Sequence, residues 1–134
     1  MKYTGSCHCG SVAFEVEGTL EKAVSCNCSI CRRKGSLLWF VPRAQLRFTT
    51  PEKNASAYTF NRHLIKHRFC PNCGTTWSHI SEFRPGKRTI AAGTFDDAGW
   101  FNIDRHIWVR SKLPWVTIPA GVASFEQGYV APPA

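Results

Sequence analysis

Apolar and polar residues alternate with period two along most of the chain. In SVAFEVEG, Val12, Phe14 and Val16 face one way, and SLLWFV sets Leu38 and Phe40 against their neighbours before Pro42 ends the run. The same alternation, bounded by Gly, Pro or Asn, predicts strands at SAYTF (56–60), LIKHRF (64–69), TTWSH (75–79), RTIAAGTF (88–95) and RHIWVR (105–110). No long amphipathic helix is predicted. SICRRKG gives one helical turn that starts at Ser29 and stops at Gly35. Many short strands joined by turns predict a mainly β fold, a sandwich or twisted sheet. On the same pattern Trp77, Trp108 and Trp115 are expected in the core or in pocket walls, and the terminal APPA is expected to fray.

The chain has 134 residues, 43% of them hydrophobic, and no linker-like tract, which predicts one domain over 1–134 with its core at about 5–118. The N-terminal MKYTGSCHCG has no apolar signal region, and no stretch approaches the ~18 apolar residues of a membrane span. A cytoplasmic protein is therefore expected, with no membrane partner. In that compartment seven cysteines in reduced form point to metal rather than to disulfides.

Charge adds a second feature. Between Arg32 and Arg88 lie twelve Lys or Arg and two acids, a local charge of +10 in a chain of +8, so the remainder carries −2. Such a segment predicts an anionic partner: nucleic acid, an acidic protein or a small acidic substrate.

The cysteines form three groups: Cys7 and Cys9; Cys26, Cys28 and Cys31; Cys70 and Cys73. CPNCG reads as a zinc knuckle, with Gly74 free to take the positive φ of a tight turn. A knuckle supplies two ligands, and the CHCG pair is its natural complement because residues i and i+2 of an extended segment project to one side. Cys7, Cys9, Cys70 and Cys73 are thus expected to hold a structural zinc. In CNCSIC the three sulfurs of Cys26, Cys28 and Cys31 can meet a second ion, and three ligands with an open fourth position suit a catalytic zinc. Two alternatives stay open: His8, His63 or His67 could close the second site, or Cys28 and Cys31 could form a redox pair. His67 is otherwise expected to be a hydrogen-bonded structural residue. With two zinc ions and seven ionised thiols the chain would hold about +5. Arg32, Arg33 and Lys34 follow Cys31 directly, so they are candidates for binding an anionic substrate beside the open site.

GSCHCGSVAFEVEG, SCNCSICRRKGS, HRFCPNCGT and HIWVRSKLPWVTI, in that order, resemble the glutathione-dependent formaldehyde-activating enzyme (GFA) family, which includes centromere protein V relatives. The resemblance runs from about Gly5 to Ile118. It implies an Mss4-like fold of stacked antiparallel sheets built around zinc. It also implies a structural zinc on Cys7, Cys9, Cys70 and Cys73 and a catalytic zinc on Cys26, Cys28 and Cys31. The implied reaction is that of a carbon-sulfur lyase joining formaldehyde and glutathione reversibly into S-(hydroxymethyl)glutathione. Three thiolates weaken zinc as a Lewis acid, which favours thiol activation over carbonyl polarisation. Arg32, Arg33 and Lys34 would then pair with the carboxylates of a small anionic thiol such as glutathione. The competing expectation is a non-catalytic, zinc-stabilised module for nucleic acid or an acidic protein, resting on the basic segment and its interleaved Trp39, Phe40, Phe48, Tyr58, Phe60 and Phe69. Aromatics at alternate strand positions are more often core than stacking platforms, and no nucleic-acid motif is present.

Overall fold

The computed structural model describes residues 1–18, 22–35, 37–81, 86–99 and 102–128. Glu82 and Arg84 of the basic segment, Ser36 at the head of SLLWFV and the terminal APPA lie outside the described residues.

Eleven strands run in chain order as β1 (Lys2–Ser6), β2 (Ala13–Glu17), β3 (Lys22–Cys26), β4 (Leu37–Pro42), β5 (Leu46–Phe48), β6 (Ser56–Tyr58), β7 (Ile65–Phe69), β8 (Thr76–Ser81), β9 (Lys87–Ala91), β10 (Asn102–Ile107) and β11 (Ala123–Ser124), among the described residues. One helical turn, α1 (Cys31–Lys34), stops at Gly35, as its sequence predicts. The strands form two sheets: a three-stranded sheet in the order β1-β2-β5, and an eight-stranded sheet in the order β11-β10-β3-β4-β9-β8-β7-β6. The larger sheet is antiparallel from β3 through β6, but β10 runs parallel to both β3 and β11. The stacked antiparallel arrangement is therefore a mixed one at this end of the sheet. A long connection from β9 brings β10 back alongside β3, where parallel pairing needs such a crossover.

Alternation on β4 explains the layering. Trp39 and Val41 point into a core shared with Phe14 and Val16 of β2, Trp77 of β8 and Ile90 of β9. Phe14 stacks on Trp77 at 5.5 Å and Phe48 meets the same ring edge-on at 5.3 Å, so the small sheet closes over one face of the large one. Leu38 and Phe40 point the other way, into a second cluster with Val24, Cys26, Cys31 and Ile107. A strand buried on both faces reads as a continuous apolar run, which is what LLWFV is. Gly5 of β1 lies against Phe14, where an added Cβ would come within 2.8 Å of the ring and of the Thr94 carbonyl. Near the other edge, His106 of β10 is buried between β3 and β11.

Trp77 is in the core as expected, whereas Trp115 is 76% exposed. Pro114 and Pro119 bracket it and no strand forms there, so its apolar neighbours have no sheet to bury against. Among the described residues no helix is long and apolar enough to cross a membrane.

Candidate metal centres and the adjoining pocket

Cys7, Cys9, Cys70 and Cys73 converge although Cys9 and Cys70 are 61 residues apart. All four Sγ atoms lie within 4.8 Å of one another. Two matched turns present them: Gly10 N–H donates to Cys7 O at 3.3 Å, and Gly74 N–H donates to Cys70 O at 2.7 Å. Gly10 and Gly74 take φ of +84° and +80°, the left-handed conformation expected of the glycine after each pair. Cys7–Cys9 and Cys9–Cys70 Sγ separations are both 3.7 Å. A tetrahedron with zinc–sulfur bonds of about 2.3 Å has edges of about 3.8 Å, so this donor set fits zinc. The Ser11 and Thr75 hydroxyls lie 3.3 Å from Cys9 Sγ and Cys73 Sγ, and their hydrogen bonds hold these thiols down, to about 7 and about 5. Thr75 also accepts the His8 N–H at 3.3 Å, tying the two turns together.

The second group lies on the opposite face of the large sheet. Cys26 ends β3, Cys31 opens α1 and Cys28 sits in the turn between them, with all three Sγ atoms within 4.8 Å of one another. Hydrogen bonds from Cys26 and then Cys31 hold the Cys28 thiol far below its ordinary value, while the interaction with Cys28 pushes Cys26 up, to about 11. Without a cation only one of three such closely set sulfurs ionises readily; a divalent ion would permit all three, so this donor set also fits a thiophilic metal. Among the described residues no histidine or carboxylate joins the trio, so it offers three protein ligands. Asn27, between the first two cysteines, is buried and fixes the loop: its N–H and its Nδ2 donate to Ile107 O at 3.0 and 3.1 Å, and its own carbonyl accepts the Ser111 hydroxyl at 2.7 Å.

A cavity of about 860 Å³ opens over this trio, within the size range of small-molecule sites. Arg32 and Arg33 line it, as do Leu38 and Phe40 of β4. Lys34 does not line it. Its Nζ instead lies 3.2 Å from His67 Nδ1, and burial lowers its pKa against the opposing pull of Cys31, Cys28 and Cys26. His67 is buried, stacks on Phe60 at 5.4 Å and forms part of the cavity wall. Burial, then the Lys34 charge, pushes its pKa down to about 4, so the ring is neutral near pH 7.

Arg62, Lys87 and Arg110 also line the cavity, as does Trp108. The sequence marks Arg62 and Lys87 only as members of a long basic segment, and Arg110 lies beyond it. Of the aromatics interleaved with that segment, Trp39 is in the core and Phe48 packs on Trp77. Tyr58, 54% exposed, stacks on Phe60 at 5.7 Å.

A mixed β fold carries one four-cysteine and one three-cysteine cluster, each able to hold a metal ion, the latter under a cationic pocket. Residues 2–111 match the family described as glutathione-dependent formaldehyde-activating enzyme, and the chain belongs to that family. It is also similar to the crystal structure of a Rhodobacter sphaeroides protein, at 27% identity and a TM-score of 0.62 over 91% of this chain and 98% of that one.

Proposed function

We propose that this chain is a single-domain, cytoplasmic, zinc-dependent carbon-sulfur lyase that joins formaldehyde to a small anionic thiol and reverses the reaction, with S-(hydroxymethyl)glutathione as the adduct the family name suggests. The observation that carries this reading is the three-cysteine trio, without a fourth protein ligand among the described residues, at the floor of a cavity rimmed by cations.

Zinc held by Cys26, Cys28 and Cys31 would lower the pKa of a thiol that reaches its fourth position and so supply a nucleophile at neutral pH. In the forward direction a sulfur–carbon bond forms at the formaldehyde carbon, the carbonyl π pair moves to oxygen, and the proton lost by the thiol ends on that oxygen. Arg32 and Arg33 orient the substrate by pairing with its carboxylates. The apolar walls from β4 limit water at the reacting carbon. Asn27 and Ser111 hold the cysteine loop in place, so the trio does not have to reorganise when substrate arrives. Cys7, Cys9, Cys70 and Cys73 would hold the second zinc as a closed, structural site.

Zinc content together with NMR exchange between formaldehyde and each of two anionic thiols, glutathione and 2-mercapto-3-phenylpropanoate, tests this. About two zinc ions per chain and faster exchange in the wild type, with exchange returning to the uncatalysed rate in Cys28→Ser, is the expected result. Uncatalysed exchange with both thiols at full zinc loading would remove the reading.

A further inference from the structure

The pocket's chemistry is narrower than its net charge implies. Arg32, Arg33, Arg62, Lys87 and Arg110 line it, and no Asp or Glu does so among the described residues. These cations come from α1, the turn before β7, the start of β9 and the segment after β10, so they converge from several elements rather than ride on one exposed helix face. Three thiolates around a divalent ion carry −1 together, fewer than the cations that line the pocket, so the described lining stays cationic.

Between the cations the wall is mainly apolar, with Ile30, Leu38, Phe40 and Ile107, and Trp108 is its most unusual member. Trp108 sits at φ +57°, a conformation unfavourable for a bulky side chain. The C-terminal segment holds it there, with the Trp108 N–H donating to Gln127 O at 2.9 Å and the Ser111 hydroxyl donating to Trp108 O at 3.2 Å. The Arg110 guanidinium lies over its ring, 5.2 Å from the centroid. An aromatic surface and a carboxylate-binding cation are therefore presented side by side.

We infer that this pocket selects ligands with an apolar body and at least one carboxylate, and rejects those that also carry an ammonium group. The further step, that the preferred substrate is a mercapto acid with an aryl or alkyl body rather than a zwitterionic peptide thiol such as glutathione, rests on the function proposed above. A carboxylate entering the pocket meets guanidinium donors in a partly desolvated site. An ammonium entering it loses water, meets like charges and finds no described carboxylate partner. The apolar body covers the Leu38, Phe40 and Trp108 surfaces that a peptide backbone would leave in contact with polar groups.

Thiol-free probes separate the selectivity from the lyase reading. Zinc-loaded full-length protein is titrated with hydrocinnamate and with free phenylalanine, which differs from it only by the α-ammonium, using intrinsic Trp fluorescence and NMR shifts as readouts. Hydrocinnamate should bind at least about 10-fold tighter. Arg110→Glu, which supplies the missing carboxylate, should shrink that ratio to about 3-fold or less, and Trp108→Ala should weaken hydrocinnamate about 10-fold. Equal affinities in the wild type, tighter binding of phenylalanine, or no binding of either probe overturns the inference. Intact selectivity alongside uncatalysed thiol exchange would remove the lyase reading and leave the pocket assignment standing.

Discussion

His106 makes the stability of this fold depend on pH in a way that can be worked out beforehand. It is 2% exposed, and among the described residues neither Nδ1 nor Nε2 has a hydrogen-bond partner. The residues beside it in register are uncharged, Ser25 on β3 and Ser124 on β11. Burial pushes its pKa below the ordinary value, so the fold holds the neutral ring. In the unfolded chain the ring titrates near 6.5, so acidification protonates the unfolded state first. The resulting stability is fully present above about pH 6.5 and is lost as pH falls below it. If the folded ring stays neutral throughout, the loss between about pH 7.5 and about pH 5.5 approaches 1.4 kcal/mol, a tenfold change in the folding constant. Urea unfolding of wild type and His106→Leu, at saturating zinc across that interval, isolates the effect because the thiolates and His67 titrate in both proteins. Relative to wild type, the variant should gain up to about 1.4 kcal/mol on acidification. A difference that does not change with pH would refute the argument.

Gly5→Ala should destabilise the fold by about 1–3 kcal/mol in the same urea assay, because the new methyl meets the Phe14 ring and the Thr94 carbonyl at 2.8 Å. Cys70→Ser should lower both zinc content and thermal midpoint, whereas Cys28→Ser should drop zinc to about one per chain with a much smaller change in midpoint. Glu52 pairs with Arg68 at 3.3 Å and with the buried Arg88 at 3.6 Å. Glu52→Gln should therefore cost about 1–3 kcal/mol, measured by urea midpoint, and Glu52→Asp should recover part of it.

Much of this was legible in the sequence, for identifiable reasons. AFEVE and LLWFVP form strands as read because each sets one face or both against the core, whereas RHIWVR is a strand only as far as Ile107: β10 starts at Asn102, and Trp108 turns out of it at φ +57°. RTIAAGTF ends its strand early: Ala92–Thr94 turns as a 3-10 segment, with the Thr94 hydroxyl donating to Ala91 O at 2.6 Å. β1 and β3 lack a readable alternation because KYTGS is mostly polar and KAVSC is short; β1 takes its strand state from the neighbouring β2, and β3 owes part of its own to β10, distant in sequence. The cysteine partition was readable because ligand spacing is a local property. The pocket was not, since Arg62, Lys87, Trp108 and Arg110 become neighbours only when β7, β9 and β10 are in place. Lys34 looks equivalent to Arg32 and Arg33 in sequence, but one further residue around a helical turn directs it to His67 instead.

The two cysteine clusters differ in the length of chain they enclose, and this sets the order in which they can acquire metal. Cys26 to Cys31 form a hexapeptide whose sulfurs can gather around an ion in the unfolded chain, so metal bound there stabilises both states and contributes little to folding. Cys9 and Cys70 are 61 residues apart. Clamping a loop of that length costs the unfolded chain about 4 kcal/mol of closure entropy on the chain-entropy estimate used for cross-links, so metal at this site binds together with folding. During synthesis the trio can be charged soon after it leaves the ribosome, while the four-cysteine site must wait for Cys73. A cell short of zinc would therefore accumulate chains that hold metal at the trio yet remain unfolded.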